Sequence, residues 1–260
     1  MAGGEQELSR ADILFQGMLA RAHVDANIVG LYLGGSRGKR AETIHSDYDC
    51  DIVVLDEVVS EYRTRFGGDD AGFNLGVFGL SEFRTYAAIG SSREWDRYNF
   101  AHLDALVDKL DGEIQRIIDD KATMPAETAA ARLPLTLDGY INFTYRSLKN
   151  ERDGRALAAQ LDAAESVGHL LNLVFMLHGR LRPYNKYFEW ELTHWPLQEL
   201  PWPTRNFVSL VGAIAHGDLE AQRTVFAGVH PLALRRGLTS LYASWDPGAL
   251  ALCGLLASPP

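Results

Sequence analysis

The stretch GGSRGKRAETIHSDYDCDIVVL, residues 34–55, decides which fold this sequence can adopt. It opens with a glycine pair and ends with aspartates at alternate positions, Asp47, Asp49 and Asp51, which lead into the apolar run 52–55. Side chains of a β-strand alternate between its faces, so the three carboxylates are predicted to point the same way. Side by side they repel each other, and a divalent cation with hard oxygen ligands removes that repulsion. The stretch therefore predicts a strand with a Mg²⁺ site suited to the phosphates of a nucleotide.

The glycine turn supplies the other half of this prediction. Gly34 and Gly35 permit backbone conformations closed to other residues, and they let a phosphate approach backbone N–H groups. Ser36 can donate a hydrogen bond to a phosphate oxygen, and three basic residues add positive charge nearby: Arg37, Lys39 and Arg40. Aspartate and serine also cluster in ordinary solvated turns. A glycine turn, a spacer, paired aspartates and an apolar strand, in that order, favour the phosphate site over such a turn.

This arrangement resembles a known family signature. Gly-Ser, a spacer of about ten residues, then Ser46-Asp47-x-Asp49 on a strand is similar to the motif of the DNA polymerase β-type nucleotidyltransferase superfamily. Its members include antibiotic adenylyltransferases, CCA-adding enzymes and small antitoxin-like domains. The resemblance covers residues 34–55 and implies that Asp47 and Asp49 bind the Mg²⁺ that bridges a triphosphate. It implies a nucleotide-binding role for the residues around the turn: Gly34, Gly35, Ser36, Arg37 and Ser46.

The sequence departs from the family pattern at one point. Many members place a third carboxylate on a neighbouring strand, and the expected strand here, residues 73–78, contains no acid. Asp51 could serve as a third metal ligand, although it lies roughly 7 Å beyond Asp49 along the strand. A carboxylate of the C-terminal half could serve instead, and Glu165 is the candidate, since antibiotic-modifying members often take the general base from their second domain. The third alternative is a protein that binds nucleotide without catalysing transfer.

Composition limits the classes of protein that this chain can represent. It has 260 residues, 47% of them hydrophobic, which is enough for one large domain or two modest ones and excludes a disordered chain. No apolar run is long enough to span a membrane, and the first twelve residues contain no apolar signal core. The two cysteines, Cys50 and Cys253, lie far apart, and Cys50 is predicted to be a packed thiol on the strand face opposite the aspartates. We therefore expect a cytoplasmic protein without a membrane partner.

The net charge of −9 bears on the substrate. Non-specific binding of nucleic acid depends on neutralising phosphates with lysine and arginine, so the acidic balance disfavours a polymer substrate. It fits a small or cationic acceptor, which an acidic cleft would attract. The sequence carries no signal of oligomeric state.

Hydrophobic periodicity predicts an α+β protein: an N-terminal nucleotidyltransferase domain with a small mixed sheet flanked by helices, then a C-terminal helical bundle. The domains are expected at residues 1–125 and 126–260, with the second closing the active-site cleft. We expect strands at 27–33, 49–55, 73–78 and 102–107, a loop at 65–70, and helices at 8–24, from Ser81, and at 113–121, 137–152 and 155–177.

Polar residues form stripes on the two long helices expected in the second domain. The first stripe runs through Asp138, Asn142, Tyr145, Lys149 and Arg152, and the second through Asp162, Glu165, His169 and Asn172. Such stripes are either solvated faces or the lining of the cleft, and both interpretations stay open.

Farther along, the segment RPYNKYFEWE, residues 182–191, places Lys186 among aromatic residues. A lysine there can hold a phosphate while an aromatic ring stacks on a base, or the segment can simply anchor a loop on the bundle. It resembles a stretch of bacterial nucleotidyltransferase-like proteins, which implies that Lys186 is a ligand of the triphosphate.

These observations predict a Mg²⁺-dependent nucleotidyltransferase. It would transfer a nucleoside monophosphate, AMP from ATP or the equivalent from another nucleoside triphosphate, to a hydroxyl of a small-molecule acceptor and release pyrophosphate. Lys149 and Lys186 would offset the triphosphate charge, and Glu165 would take the proton of the attacking hydroxyl. A nucleotide-binding or antitoxin-like regulatory module of the same fold is the alternative. A polymer-modifying enzyme is disfavoured by the acidic balance.

Overall fold

A five-stranded mixed sheet organises the N-terminal part of the chain. The computed structural model describes residues 8–255, and the chain divides into two compact units, Met1–Thr123 and Met124–Pro260. The strand order in the sheet is β3-β4-β2-β1-β5, with β2 and β4 parallel and the other pairs antiparallel. The strands are β1 (Ile28–Leu33), β2 (Tyr48–Val54), β3 (Gly68–Asp70), β4 (Phe73–Gly79) and β5 (Ala105–Asp108). The predicted α+β class is confirmed.

Helices flank this sheet on both faces. They are α1 (Arg10–Val24), α2 (Gly35–Gly38), α3 (Val59–Phe66), α4 (Leu80–Thr85) and α5 (Glu113–Ala122), with 3-10 turns at Asp56–Val58 and Glu94–Phe100. On one face, Cys50 and Ile52 of β2 are buried in the cluster that contains Phe15 and Met18 of α1. Val53 is buried in the cluster on the other face.

Alternation along β2 decides where the acidic residues point. Tyr48, Cys50 and Ile52 belong to the core on the α1 side, so Asp49 and Asp51 project to the opposite face. Cys50 is a free thiol and almost fully buried, at 1% exposure, as the packed-thiol prediction requires. Burial raises the pKa of this thiol well above its ordinary value.

Two element predictions in the first unit need correction. Residues 65–70 were expected to form a loop, but α3 ends at Phe66 and Gly68–Asp70 pair with β4 as an edge strand. All three residues of β3 are exposed, so no apolar alternation marks them as a strand. The strand expected at 102–107 is β5, which begins only at Ala105, after His102 adopts a left-handed backbone with φ +62°.

The second unit is helical throughout its described residues. Its helices are α6 (Ala126–Arg152), α7 (Ala156–Leu177), α8 (Phe188–His194), α9 (Thr204–Ala215), α10 (Leu219–Arg235), α11 (Thr239–Ser244) and α12 (Pro247–Leu252), with a 3-10 turn at Asn185–Tyr187. The two longest, α6 and α7, pack along each other as a hairpin and bury Leu137, Ile141 and Leu170. Between residues 8 and 255, no helix combines the length and apolarity that crossing a membrane would require.

Helix α6 begins eleven residues before the predicted start at residue 137. Pro134 lies inside the helix and removes one of its backbone hydrogen bonds, which normally ends a helix. The alanine-rich first turns favour helix, and Ala129 and Leu133 are buried in the core. Burial of this apolar face offsets the missing hydrogen bond, so the helix continues through the proline.

Candidate active site

The glycine turn lies directly against Asp49. The backbone N–H of Gly34 donates to the carbonyl of Asp49 at 2.6 Å, which fixes the turn at the beginning of β2. Gly35 has a left-handed backbone with φ +58°, and a Cβ added there would lie 2.0 Å from Oδ2 of Asp49. Glycine at position 35 therefore serves two purposes, because it adopts this φ and leaves the space that the Asp49 carboxylate occupies.

Arg37 shapes the loop that leads into β2. Its Nε donates to the carbonyls of Ser46 and Asp47, both at 3.2 Å, and its Nη2 donates to Ser46 at 3.0 Å. The guanidinium lies over the ring of Tyr48, 4.0 Å from the centroid. The hydroxyl of Ser46 accepts from the N–H of Thr43 at 2.9 Å. Arg37 and Ser46, both predicted nucleotide ligands, are thus partners in an internal network that holds Asp47 in place.

The other two basic residues of the turn make contacts within the protein. Lys39 is 3% exposed, and its Nζ donates to the carbonyls of Tyr98, Asn99 and Ala101. Arg40 is exposed and pairs with Asp104 at 3.4 Å. These carbonyls replace the water that the buried Lys39 ammonium has lost, so Lys39 has a structural role in the turn.

Asp47 and Asp49 are brought together by a residue of the neighbouring strand. Nδ2 of Asn74, on β4, donates to Oδ2 of Asp47 at 3.1 Å and lies 3.4 Å from Oδ1 of Asp49. Asn74 is the register partner of Asp49 in the parallel pair β2–β4. Asp47 is exposed, whereas Asp49 is partly buried. Asn74 carries no charge, so its residue type alone does not mark it as part of an acidic site.

Asp51 lies deeper along the same face, in a different environment. The hydroxyl of Tyr32 donates to its carboxylate. Burial raises the pKa of Asp51 to about 6, the Tyr32 hydrogen bond opposes the rise, and the negative charges of Asp49 and Asp96 add to it. Asp96, which the sequence analysis did not select, accepts from the hydroxyl of Tyr86 at 2.6 Å.

The prediction that Asp51 completes a three-aspartate metal site needs correction. Within residues 8–255, no three Asp, Glu, His or Cys side chains are grouped so that they could hold a metal ion. Asp51 is one strand period beyond Asp49 and is engaged by Tyr32. The residues that fit Mg²⁺ here are the paired carboxylates of Asp47 and Asp49. The space that a Cβ at Gly35 would fill lies against the Asp49 carboxylate.

The remaining predicted site residues belong to the second unit. Glu165 is exposed on α7, and Lys149 is partly buried on α6 with its Nζ 5.8 Å from the centroid of the Tyr145 ring. Lys186 is exposed, with its Nζ 4.7 Å from the centroid of Tyr187. Their roles in binding and catalysis stay predictions.

The polar stripe on α7 is not uniform. Asp162 is 7% exposed, pairs with Arg146 at 3.3 Å and accepts from Asn150 of α6 at 2.8 Å. His169 is partly buried and stacks on Phe143 with ring centroids 5.1 Å apart. These two residues tie α7 to α6, which neither interpretation of the stripe anticipated.

Comparison with known proteins gives distant structural likenesses only. No protein-family model matches the chain, and no protein with a curated description matches it. Among solved structures, the chain is similar to a nucleotidyltransferase-like protein from Exiguobacterium sibiricum 255-15, with 9% sequence identity and a TM-score of 0.41. The alignment covers 92% of this chain and 83% of that one.

Proposed function

We propose that the protein is a nucleotidyltransferase that moves a nucleoside monophosphate, AMP from ATP, to a hydroxyl of a small-molecule acceptor. The observation that carries the proposal is the pairing of Asp47 and Asp49 at the beginning of β2, against a glycine turn that leaves room for the Asp49 carboxylate. Two adjacent carboxylates that solvent can reach are a suitable ligand set for a cation that carries phosphates.

In this proposal each residue has a defined part. Asp47 and Asp49 hold Mg²⁺, and Ser36 with the Gly34–Gly35 backbone positions the triphosphate. Mg²⁺, when bound, supplies positive charge that offsets the triphosphate and its leaving group. Lys149 and Lys186 add positive charge around the phosphates. Arg37 positions Asp47 through the loop carbonyls that it binds.

The reaction itself is a displacement at phosphorus. The oxygen of the acceptor hydroxyl forms a bond to the α-phosphorus, and the bond from that phosphorus to the oxygen bridging the α- and β-phosphates breaks. Pyrophosphate leaves with that electron pair, and the hydroxyl proton passes to the carboxylate of Glu165. Catalysis of this kind depends on positioning and electrostatics, because the protein forms no covalent bond of its own.

The direct test is nucleotide binding with and without metal. ATP with Mg²⁺ is expected to raise the melting temperature, because binding at a hundredfold excess over Kd stabilises the native state by about 2.7 kcal/mol. ATP with EDTA is expected to raise the melting temperature much less. Asp47→Asn and Asp49→Asn are each expected to abolish the metal-dependent part of the shift. Asp104→Asn is the matched control, because it removes the same charge at an exposed ion pair. Equal shifts with and without Mg²⁺, or none with any of the four nucleoside triphosphates, would contradict the proposal.

Turnover tests the role of Glu165. With ATP, Mg²⁺ and a panel of polyhydroxylated amines as acceptors, pyrophosphate release identifies a substrate. Glu165→Gln is then expected to lower turnover by roughly 10²–10⁴-fold with little change in the Kd of ATP, because a general base acts on the acceptor. Glu151→Gln, at an exposed glutamate of α6, controls for loss of charge. Full activity of Glu165→Gln would remove Glu165 from the mechanism.

A second function, nucleotide binding without transfer, is favoured by one observation. The position opposite Asp49 on β4 is held by the neutral Asn74, so the paired carboxylates gain no third acid from that strand. A regulatory module would bind ATP with Mg²⁺ and release no pyrophosphate with any acceptor. The same two assays therefore separate the two functions.

A further inference from the structure

Asn74 occupies a position from which it controls both paired carboxylates. Its flanking residues Phe73 and Leu75 are buried in the core on the α1 side, which directs Asn74 to the face that carries Asp49. From there Nδ2 donates to Asp47 at 3.1 Å and lies 3.4 Å from Asp49. The backbone register sets Asp49 opposite Asn74 in the parallel pair β2–β4, which brings the two side chains close together on one face of the sheet.

The amide does for the carboxylates part of what a cation would do. Two carboxylates at one site repel each other unless donors or a positive charge offset their charge. A neutral amide supplies N–H donors without a net charge, and hydrogen bonds from a neutral donor to an ionised acceptor are among the stronger ones in proteins. The pair is therefore held together before any cation arrives.

We propose that Asn74 is a specificity-determining residue that makes the site select a metal–nucleotide complex over a free divalent cation. The inference rests on the proposed function, because it concerns the same Asp47 and Asp49. A free cation meets only two negative charges, already hydrogen-bonded by Asn74, and gains little by replacing that contact. A cation that arrives on a triphosphate brings phosphate oxygens as its other ligands, and the protein then needs to supply only two.

The substitution Asn74→Asp isolates this effect. It keeps the size of the side chain and replaces the donor by a third carboxylate, and affinity for divalent cations rises with the number of charged ligands. Calorimetric titration with MnCl2 alone is expected to show at least a roughly tenfold tighter Kd for Asn74→Asp than for the wild-type protein. Gln16→Glu, an equal change of amide to acid at an exposed position of α1, is expected to leave the Kd for Mn²⁺ unchanged.

A second variant keeps the test informative if Asn74→Asp does not fold. Asn74→Ala removes the hydrogen-bond donor without adding charge. Repulsion between the Asp47 and Asp49 carboxylates is then expected to lower the melting temperature of the metal-free protein. MnCl2 is expected to restore part of that loss, since the cation takes over the role of the amide, and to leave the wild-type melting temperature almost unchanged. A loss that Mn²⁺ does not restore would contradict the inference.

The outcomes distinguish this inference from the proposed function. Wild-type protein that binds free Mn²⁺ as tightly as Asn74→Asp does would overturn the role of Asn74, whether or not ATP binds. Wild-type protein that fails to bind ATP in the presence of Mg²⁺ would overturn the proposed function, and with it the selection of a metal–nucleotide complex.

Discussion

Gly35 shows how a single absent methyl group can decide whether a site forms. Any L-residue at φ +58° is strained, which costs about 1 kcal/mol, but at position 35 the added Cβ would also lie 2.0 Å from the Asp49 carboxylate. Such overlap forces the carboxylate to move and adds about 1–3 kcal/mol. The site thus depends on two separate properties of one glycine.

We expect Gly35→Ala to lower stability more than Gly90→Ala and to remove Mg²⁺-dependent ATP binding. Gly90 is the matched control, because it also has a positive φ, +81°, yet a Cβ there would meet nothing within 4 Å. Urea denaturation and calorimetry of both variants measure the difference. Equal losses in the two proteins would mean that backbone strain alone matters and that the space beside Asp49 does not.

Individual residue roles were predictable only in part. Alternation placed Asp49 on the face away from Cys50, and the structure agrees. Alternation does not reveal which polar atoms already have partners inside the protein. Arg37 is a natural phosphate ligand by residue type, but its Nε and Nη2 are bonded to loop carbonyls, and Lys39 is buried among carbonyls. Asn74 escaped notice because its importance lies in its register with Asp49, which only strand pairing defines.

Asp12 adds a hydrogen-bonded link between helix α1 and β2. Asp12 forms a capping box with Ser9, and it also accepts from the hydroxyl of Tyr48 at 2.6 Å. The pKa of Asp12 is lowered to about 2, mainly by hydrogen bonds from the Ser9 hydroxyl, the Tyr48 hydroxyl and the Ser9 N–H. The positive charge of Arg37 adds to this lowering, and burial opposes it. Tyr48 is the first residue of β2 and stacks on Phe15 of α1.

This link makes stability depend on acid in a defined range. A carboxyl whose pKa is lowered on folding contributes its full stabilisation above its unfolded pKa near 4, and the contribution disappears as the pH falls through about 2. Asp12→Asn is therefore expected to be less stable than wild type at pH 7, by roughly 1 kcal/mol, and to lose most of that difference by pH 2. Urea midpoints at both pH values measure this, with Asp104→Asn as an exposed control. A difference that persists unchanged at pH 2 would rule out the charge of Asp12 as its cause.

Element boundaries were least predictable where local and long-range forces disagree. Pro134 argues locally for a break, yet α6 passes through it because Ala129 and Leu133 are buried on the same helix. The edge strand β3 has no local signal at all, since Gly68–Asp70 are exposed and their strand character comes from pairing with β4. By contrast, β1, β2 and β4 begin within one residue of the predicted positions, because their apolar runs are buried on both faces or alternate cleanly.

The chain as a whole combines a sheet unit with a helical unit, and the composition change near residue 125 predicted such an organisation. The first unit carries the elements whose chemistry could be traced from sequence to geometry: the glycine turn, β2 and β4. For Glu165, Lys149 and Lys186, the sequence offered helical spacing and a resemblance, and neither specifies what a side chain acts on. Their assignment therefore depends on kinetic measurements.

Because Cys50 is buried, the reactivity of its thiol reports on local opening of β2. The thiol lies between Asp49 and Asp51 in sequence and is sealed in the α1 side of the core, with its pKa raised by burial. An aromatic disulfide reagent can react with the Cys50 thiol only after β2 has separated locally from the core. The rate of Cys50 modification therefore reports how often the strand that carries the aspartates opens. ATP with Mg²⁺ is expected to slow the modification of Cys50 in proportion to the occupancy of the site, and mass spectrometry of the Cys50 peptide measures this rate. Cys253, in the helical unit, is the internal reference. Rapid labelling of Cys50 in the native protein would show that the strand opens freely, and unchanged labelling with saturating nucleotide would place the bound nucleotide elsewhere.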